Sequence, residues 1–228
     1  MISVVTPTYN EAGSLPTLAE RLALALAGRE YELVVVDDGS PDGTADVADA
    51  LAARLPVRVV RRAGKAGLAS AVLAGFAAAR GDVLVVMDAD LSHPPETVAA
   101  LVAALDAGAD LAVASRYVRG GGMEDWPLRR RIVSRAACLL GSLLVPVHDA
   151  TSGFFAVRRA GIEGVRLNGI GFKIGFEVIA RARARRIVEV PYTFRDRELG
   201  ASKFGRREVA QYLVQLGQVA RDKALRRL

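Results

Sequence analysis

The sequence predicts an α/β fold: a Rossmann-like, mostly parallel sheet with helices on both faces, followed by amphipathic helices towards the C-terminal end. Two observations carry this expectation. Short β-branched runs alternate with Ala- and Leu-rich stretches of helical period, the alternation of a parallel sheet joined by crossover helices. The runs are also apolar throughout instead of at every second position, as burial on both faces requires.

Strands are expected at Ile2 to Thr6, Leu33 to Val36, Val57 to Val60, Val83 to Met87 and Leu111 to Ala114. Leu15 to Ala27 places Leu18, Leu22, Ala25 and Leu26 at helical spacing, with Ser14 as N-cap and Gly28 as the stop. Gly43 to Ala53, Gly67 to Ala79 and Pro94 to Ala107 repeat that pattern. After Ser115 the character changes. Gly120-Gly121-Gly122 leads into a basic amphipathic stretch from Pro127 to Val147, then a strand near Phe154 to Val157, a helix near Phe172 to Ala184 and a strand at Ile187 to Val190. A final basic helix covers the tail. With no internal repeat or obvious linker, one unit is expected over 1–204, in halves 1–115 and 116–204, with 205–228 appended.

Hydrophobic residues make up 51% of the 228 and charged residues 25%, which excludes a disordered chain. Thirty-one Lys and Arg against 25 Asp and Glu give a net charge of +6, which favours an anionic partner without choosing among nucleotide, phospholipid and nucleic acid. A single cysteine, Cys138, excludes an intramolecular disulfide, and with only two histidines no zinc cluster of the usual spacing forms. Cys138 itself, within an apolar helix, reads as packing. The first residues run straight into a strand without a signal-peptide pattern, and the apolar run Ala136 to Val147 falls short of the roughly 20 residues a membrane span needs. A cytoplasmic protein that touches a bilayer without crossing it is expected.

In an open α/β sheet the ligand sits beyond the carboxyl ends of the strands, and three strand ends here carry polar groups. Val85-Val86-Met87-Asp88-Ala89-Asp90 ends a buried strand in two carboxylates, suited to a hard divalent cation that neutralises a diphosphate. Taken alone, the same pair also describes a solvated acidic turn. Asp37-Asp38-Gly39-Ser40 closes the second strand, where a carboxylate can accept hydrogen bonds from nucleobase N–H groups or simply stabilise a turn. Thr6-Pro7-Thr8-Tyr9-Asn10-Glu11 ends the first, with Tyr9 able to stack on a base and Glu11 to bind ribose hydroxyls. Neither G-x-G-x-x-G nor G-x-x-x-x-G-K-[ST] occurs, which removes the dinucleotide and P-loop phosphate cradles, and no G-x-S-x-G supplies a hydrolase nucleophile.

These segments, with Leu91-Ser92-His93-Pro94-Pro95-Glu96, Ser115-Arg116-Tyr117, Trp126, Arg130, Ser134, Thr151-Ser152-Gly153-Phe154 and Arg197-Glu198-Leu199-Gly200-Ala201-Ser202-Lys203, together resemble the dolichol-phosphate mannose synthases of glycosyltransferase family 2. The resemblance implies a GT-A fold whose first half holds a nucleotide sugar and metal and whose second half holds the acceptor. It implies Pro7, Tyr9, Glu11, Val36 and Asp38 around the nucleoside, Ala89 and Ser92 beside the donor, and Asp88 and Asp90 on Mg2+ or Mn2+. Arg116, Arg130 and Lys203 would meet donor or acceptor phosphates. Some relatives have Gln at the position of Ser92, and many have Arg at the position of Phe155.

The implied reaction moves mannose from GDP-mannose to a polyprenyl phosphate with inversion, on the cytoplasmic face of a membrane. A phosphate monoester is already largely ionised near neutrality, so no side-chain base is required. Arg129 to Arg131 would engage head groups while Ile132, Val133, Leu139, Leu140, Leu143 and Leu144 approach the acyl boundary; the same stretch also describes a helix packed on the core with a solvated basic face. Attachment would be peripheral or through a separate small membrane subunit. The rival donors are UDP-glucose or another UDP-sugar; rival classes are a nucleotidyltransferase and a silent binding module. Nucleic-acid binding would explain the charge but not the strand-end carboxylates.

Overall fold

The computed structural model describes residues 1–169, 173–195 and 206–225, with the backbone alone at 206–208. The first five strands are β1 (Ile2–Thr8), β2 (Tyr31–Asp37), β3 (Val57–Arg61), β4 (Val83–Val86) and β5 (Leu111–Ser115), separated by α1 (Leu15–Ala25), α2 (Thr44–Ala52), α3 (Leu68–Ala78) and α4 (Thr97–Asp106). Then follow β6 (Gly122–Met123), α5 (Leu128–Ser142), β7 (Phe155–Arg158), α6 (Arg159–Ile162), α7 (Ile174–Arg181), β8 (Ile187–Pro191), β9 (Thr193–Phe194) and α8 (Arg206–Ala224). Each expected element is present, with ends shifted by a few residues.

The main sheet runs β3-β2-β1-β4-β7-β5-β8, parallel except for β7, which pairs antiparallel with both β4 and β5. A second, two-stranded sheet pairs β6 with β9, Gly122 opposite Thr193. Period-two alternation divides the core. Val4, Leu33, Val35 and Val85 join α1, α2 and α4 on one face, while Val5, Val34, Val36, Leu84 and Val86 join α3, α7 and α8 on the other. Helix α3 comes unusually close: a Cβ at Gly75 would lie 2.2 Å from Val5 Cγ1, so only glycine fits.

Helix α1 shows what starts these helices. Ser14 stands at the N-cap, but its hydroxyl donates to Glu11 instead of capping a helix N–H. A side-chain cap contributes about 1 kcal/mol. Burial of Leu15, Leu18 and Leu22, each fully enclosed, contributes about 1.5–3 kcal/mol apiece. Packing therefore decides this helix, and Ser14 is released to support the first strand end.

Candidate active site

Because β1 lies between β2 and β4, the ends of all three strands reach one edge of the sheet. At the β2 end the two aspartates have different tasks. Asp37 accepts from Thr8 Oγ1 (3.1 Å) and from the backbone N–H of Ser40 (2.9 Å), which closes the loop. Asp38 is buried beside Arg62, whose Nη1 donates to it at 2.7 Å while Nη2 donates to Ser70 at 2.8 Å. Tyr9 is 37% exposed and Lys65 Nζ lies 4.0 Å from its ring centroid. Glu11 accepts from Ser14 at 2.9 Å, and Pro7 is partly exposed opposite Val36. The Val36 side chain itself is fully buried against the α3 layer, so a ligand could meet only its peptide.

At the β4 end, Asp90 Oδ1 accepts from both the N–H (3.1 Å) and the hydroxyl (2.6 Å) of Ser92, across Leu91 at φ +62°. A left-handed backbone at a non-glycine residue costs energy and is concentrated at functional sites. Ala89 between the two carboxylates is buried in the core. His93 is enclosed and accepts the Asp88 backbone N–H at Nδ1 (3.0 Å), which leaves its proton on Nε2, 3.8 Å from Asp88 Oδ2. Burial holds its pKa below the ordinary histidine range against the pull of Asp88 and Asp90. A neutral ring stacked on Phe154 at 4.8 Å thus braces the Asp88 backbone. Sequence reasoning quoted His93 without giving it a role.

Asp88 is 37% exposed at its side chain, and among the described residues no three His, Cys, Asp or Glu cluster to enclose a metal. Two carboxylates on an open edge suit a hard cation of the Mg2+ type, which completes its shell with water and diphosphate oxygens. The donor set fits such an ion.

The segment after Ser115 is organised around a buried ion pair. Arg116 is 8% exposed and makes a two-pronged pair with Asp149, Nε to Oδ2 and Nη2 to Oδ1 at 2.7 Å each, with its own N–H reaching Oδ2 at 3.0 Å. Burial alone would raise the Asp149 pKa, but the Arg116 hydrogen bonds and charge outweigh it and hold the carboxyl low. The guanidinium expected to meet phosphate also pairs with a buried carboxylate, 33 residues away and legible in no local motif. Cys138 lies in the same network, donating to Asp149 at 3.4 Å, and burial pushes its thiol up to about 11, as its packing role requires. Arg130 lies over the Trp126 ring, 3.9 Å from its centroid, and Ser134 accepts from the Tyr117 hydroxyl at 2.8 Å. Lys203 lies outside the described residues.

Lys173 was not anticipated. Its ammonium donates to Thr151 O at 2.9 Å, and burial followed by the charge of Arg116 pushes its pKa down to about 8. Outside this network, Tyr117, Met123, Arg131, Ile132, Arg135 and Leu139 line a groove of about 470 Å³. Along α5, Leu128, Ile132, Val133, Leu139 and Leu140, with Leu143 just beyond, are exposed, whereas Leu144 packs on the core. No described helix is long and apolar enough to cross a membrane.

A Rossmann-like GT-A fold with paired carboxylates at the carboxyl edge defines the class of nucleotide-sugar glycosyltransferases. The chain belongs to glycosyl transferase family 2, whose model matches residues 3–166, and within it to the branch of dolichol- and polyprenyl-phosphate mannosyltransferases. It is 43% identical over 227 residues to the polyprenol monophosphomannose synthase of Mycolicibacterium smegmatis, covering 94% of this chain and 85% of that one. To the dolichol-phosphate mannosyltransferase of Saccharomyces cerevisiae it is 39% identical, covering 95% and 86%. It is 47% identical over 216 residues to that of Pyrococcus furiosus, covering 93% of this chain but 61% of the relative's length. Two solved structures share the fold. One is the mannosyltransferase of Pyrobaculum calidifontis with GDP-Man and Mn2+ (20% identity, TM-score 0.66, covering 95% and 64%). The other is glucosyl-3-phosphoglycerate synthase of Mycobacterium tuberculosis with Mn2+, UDP and glucosyl-3-phosphoglycerate (24% identity, TM-score 0.68, covering 96% and 78%).

Proposed function

We propose that the protein transfers mannose from GDP-mannose to a polyprenyl phosphate at a membrane surface, with inversion and with a divalent cation. The reading is carried by the near-full-length relatives named for that reaction, and supported by the strand-end groups that meet at one edge. Asp38 and Tyr9 bind the base, Glu11 the ribose, and Asp88 and Asp90 hold Mg2+ or Mn2+, which supplies charge stabilisation to the departing diphosphate. Ser92 fixes one oxygen of Asp90 and His93 fixes the Asp88 peptide, so the Asp90 carboxylate and the Asp88 backbone are set before substrate arrives. The acceptor phosphate attacks as an already ionised oxygen, and the protein's work is alignment.

Arg116, paired with Asp149, contributes its positive field, and Arg130, on α5 over the Trp126 ring, meets phosphate. The exposed α5 leucines with Arg129 and Arg131 seat the protein peripherally on the bilayer. Incubation with radiolabelled GDP-mannose, polyprenyl phosphate and Mg2+, followed by organic extraction, tests the reading. Label in the lipid phase with release of GDP is expected; label from UDP-glucose instead, or release of pyrophosphate, overturns it.

A further inference from the structure

Trp126 is the chain's single tryptophan. It is 8% exposed, and its Nε1–H is buried with no hydrogen-bond partner among the described residues. A buried donor left unpaired costs about 1–3 kcal/mol, and buried indole N–H groups ordinarily find a partner. The surrounding backbone is bent to place it: Gly120 has φ +90° and Asp125, immediately before, φ +55°. Phe194 holds the ring edge-to-face at 5.1 Å, and two guanidinium carbons lie near its centroid, Arg130 at 3.9 Å and Arg116 at 5.5 Å. Arg130 over the ring and Arg116, itself paired with Asp149, make the surroundings of the indole positive, so the complement of the open N–H is an anionic oxygen.

We propose that Trp126 Nε1–H binds an oxygen of the acceptor phosphate monoester and so selects and positions the acceptor. This rests on the polyprenyl-phosphate reading above. The acceptor is favoured over the donor diphosphate because Trp126 directly precedes the basic helix α5 and packs on Phe194 of β9, away from the nucleoside groups of β1 and β2. The two sites remain in touch: Phe194 also meets His93, the residue that braces Asp88. Since the N–H is shielded, the oxygen reaches it by a rearrangement of neighbouring side chains.

Global replacement of tryptophan by β-(3-benzothienyl)alanine changes this residue alone and exchanges N–H for sulfur at nearly constant shape. The expected result is an acceptor KM raised about tenfold or more, the loss of one charge-assisted hydrogen bond, with the KM for GDP-mannose unchanged. An acceptor KM within twofold of the parent, or a rise confined to the donor, overturns the proposal. A second measurement is independent of turnover. Titration of the native protein with vesicles carrying polyprenyl phosphate is expected to change Trp126 fluorescence, whereas vesicles of the same lipids with polyprenol leave it unchanged. Equal responses to both overturn the role of the phosphate, and absence of mannosyl transfer alongside a phosphate-specific response overturns the enzymatic reading instead.

Discussion

Asp37 and Asp38 are neighbours in sequence whose carboxylates serve different ends: Asp37 is spent on Thr8 and Ser40, and Asp38 faces Arg62. The strand-end cluster was legible because the residues that build it are consecutive, but its division of labour was not, since Arg62 arrives from β3. The same holds for Arg116, whose partner Asp149 belongs to another segment. Asp88 and Asp90 were legible as a pair, and their use sets the first prediction. Asp90→Ala should lower transfer about a hundred- to a thousandfold, the order expected when a key charge-stabilising group is lost, with melting unchanged. Full activity in the presence of a chelator would remove the cation from the mechanism.

Lys173 yields a second. Its pKa of about 8 in the folded chain lies below the unfolded value near 10.4, so the unfolded chain binds more protons between these limits. Folding stability at this position therefore rises with pH above about 8. The melting temperature of the native protein relative to Lys173→Met should climb from pH 8 to 9.5; a flat difference would place the ammonium in water.

At the scale of elements, α5 was legible as a basic amphipathic helix, yet not which of its apolar residues face inward. Cys138 and Gly141 form the buried stripe, and Gly141 is where α8 crosses: a Cβ there would lie 2.5 Å from the Tyr212 hydroxyl and 2.6 Å from Ala150 Cβ. Gly→Ala in a helix ordinarily gains up to about 1 kcal/mol, but overpacking costs about 1–3 kcal/mol. The clash should win, and Gly141→Ala should melt several degrees lower by circular dichroism. The outward face carries a different prediction. Arg129→Glu with Arg131→Glu, both exposed, should abolish flotation with anionic liposomes and leave melting intact; undiminished flotation would assign membrane contact to another surface. The antiparallel direction of β7 and the pairing of β6 with β9 were not legible, because an apolar run carries no sign of its direction and a two-residue strand has no period.

Across the whole molecule, the two sequence halves share one sheet. Strand β7, from the second half, lies between β4 and β5 of the first, so the carboxylate edge that follows β4 and the segment from Asp149 that leads into β7 are anchored to the same scaffold. That single insertion also governs the order of synthesis. While the chain emerges from the ribosome, β4 is paired only on its β1 side and β5 has no partner until Arg158 has been made, so the nascent first half presents unpaired apolar edges. A truncated chain ending at Ser115 should accordingly be recovered in aggregates, and one ending beyond β8 in solution. The sheet is thus completed late, from its inside outward.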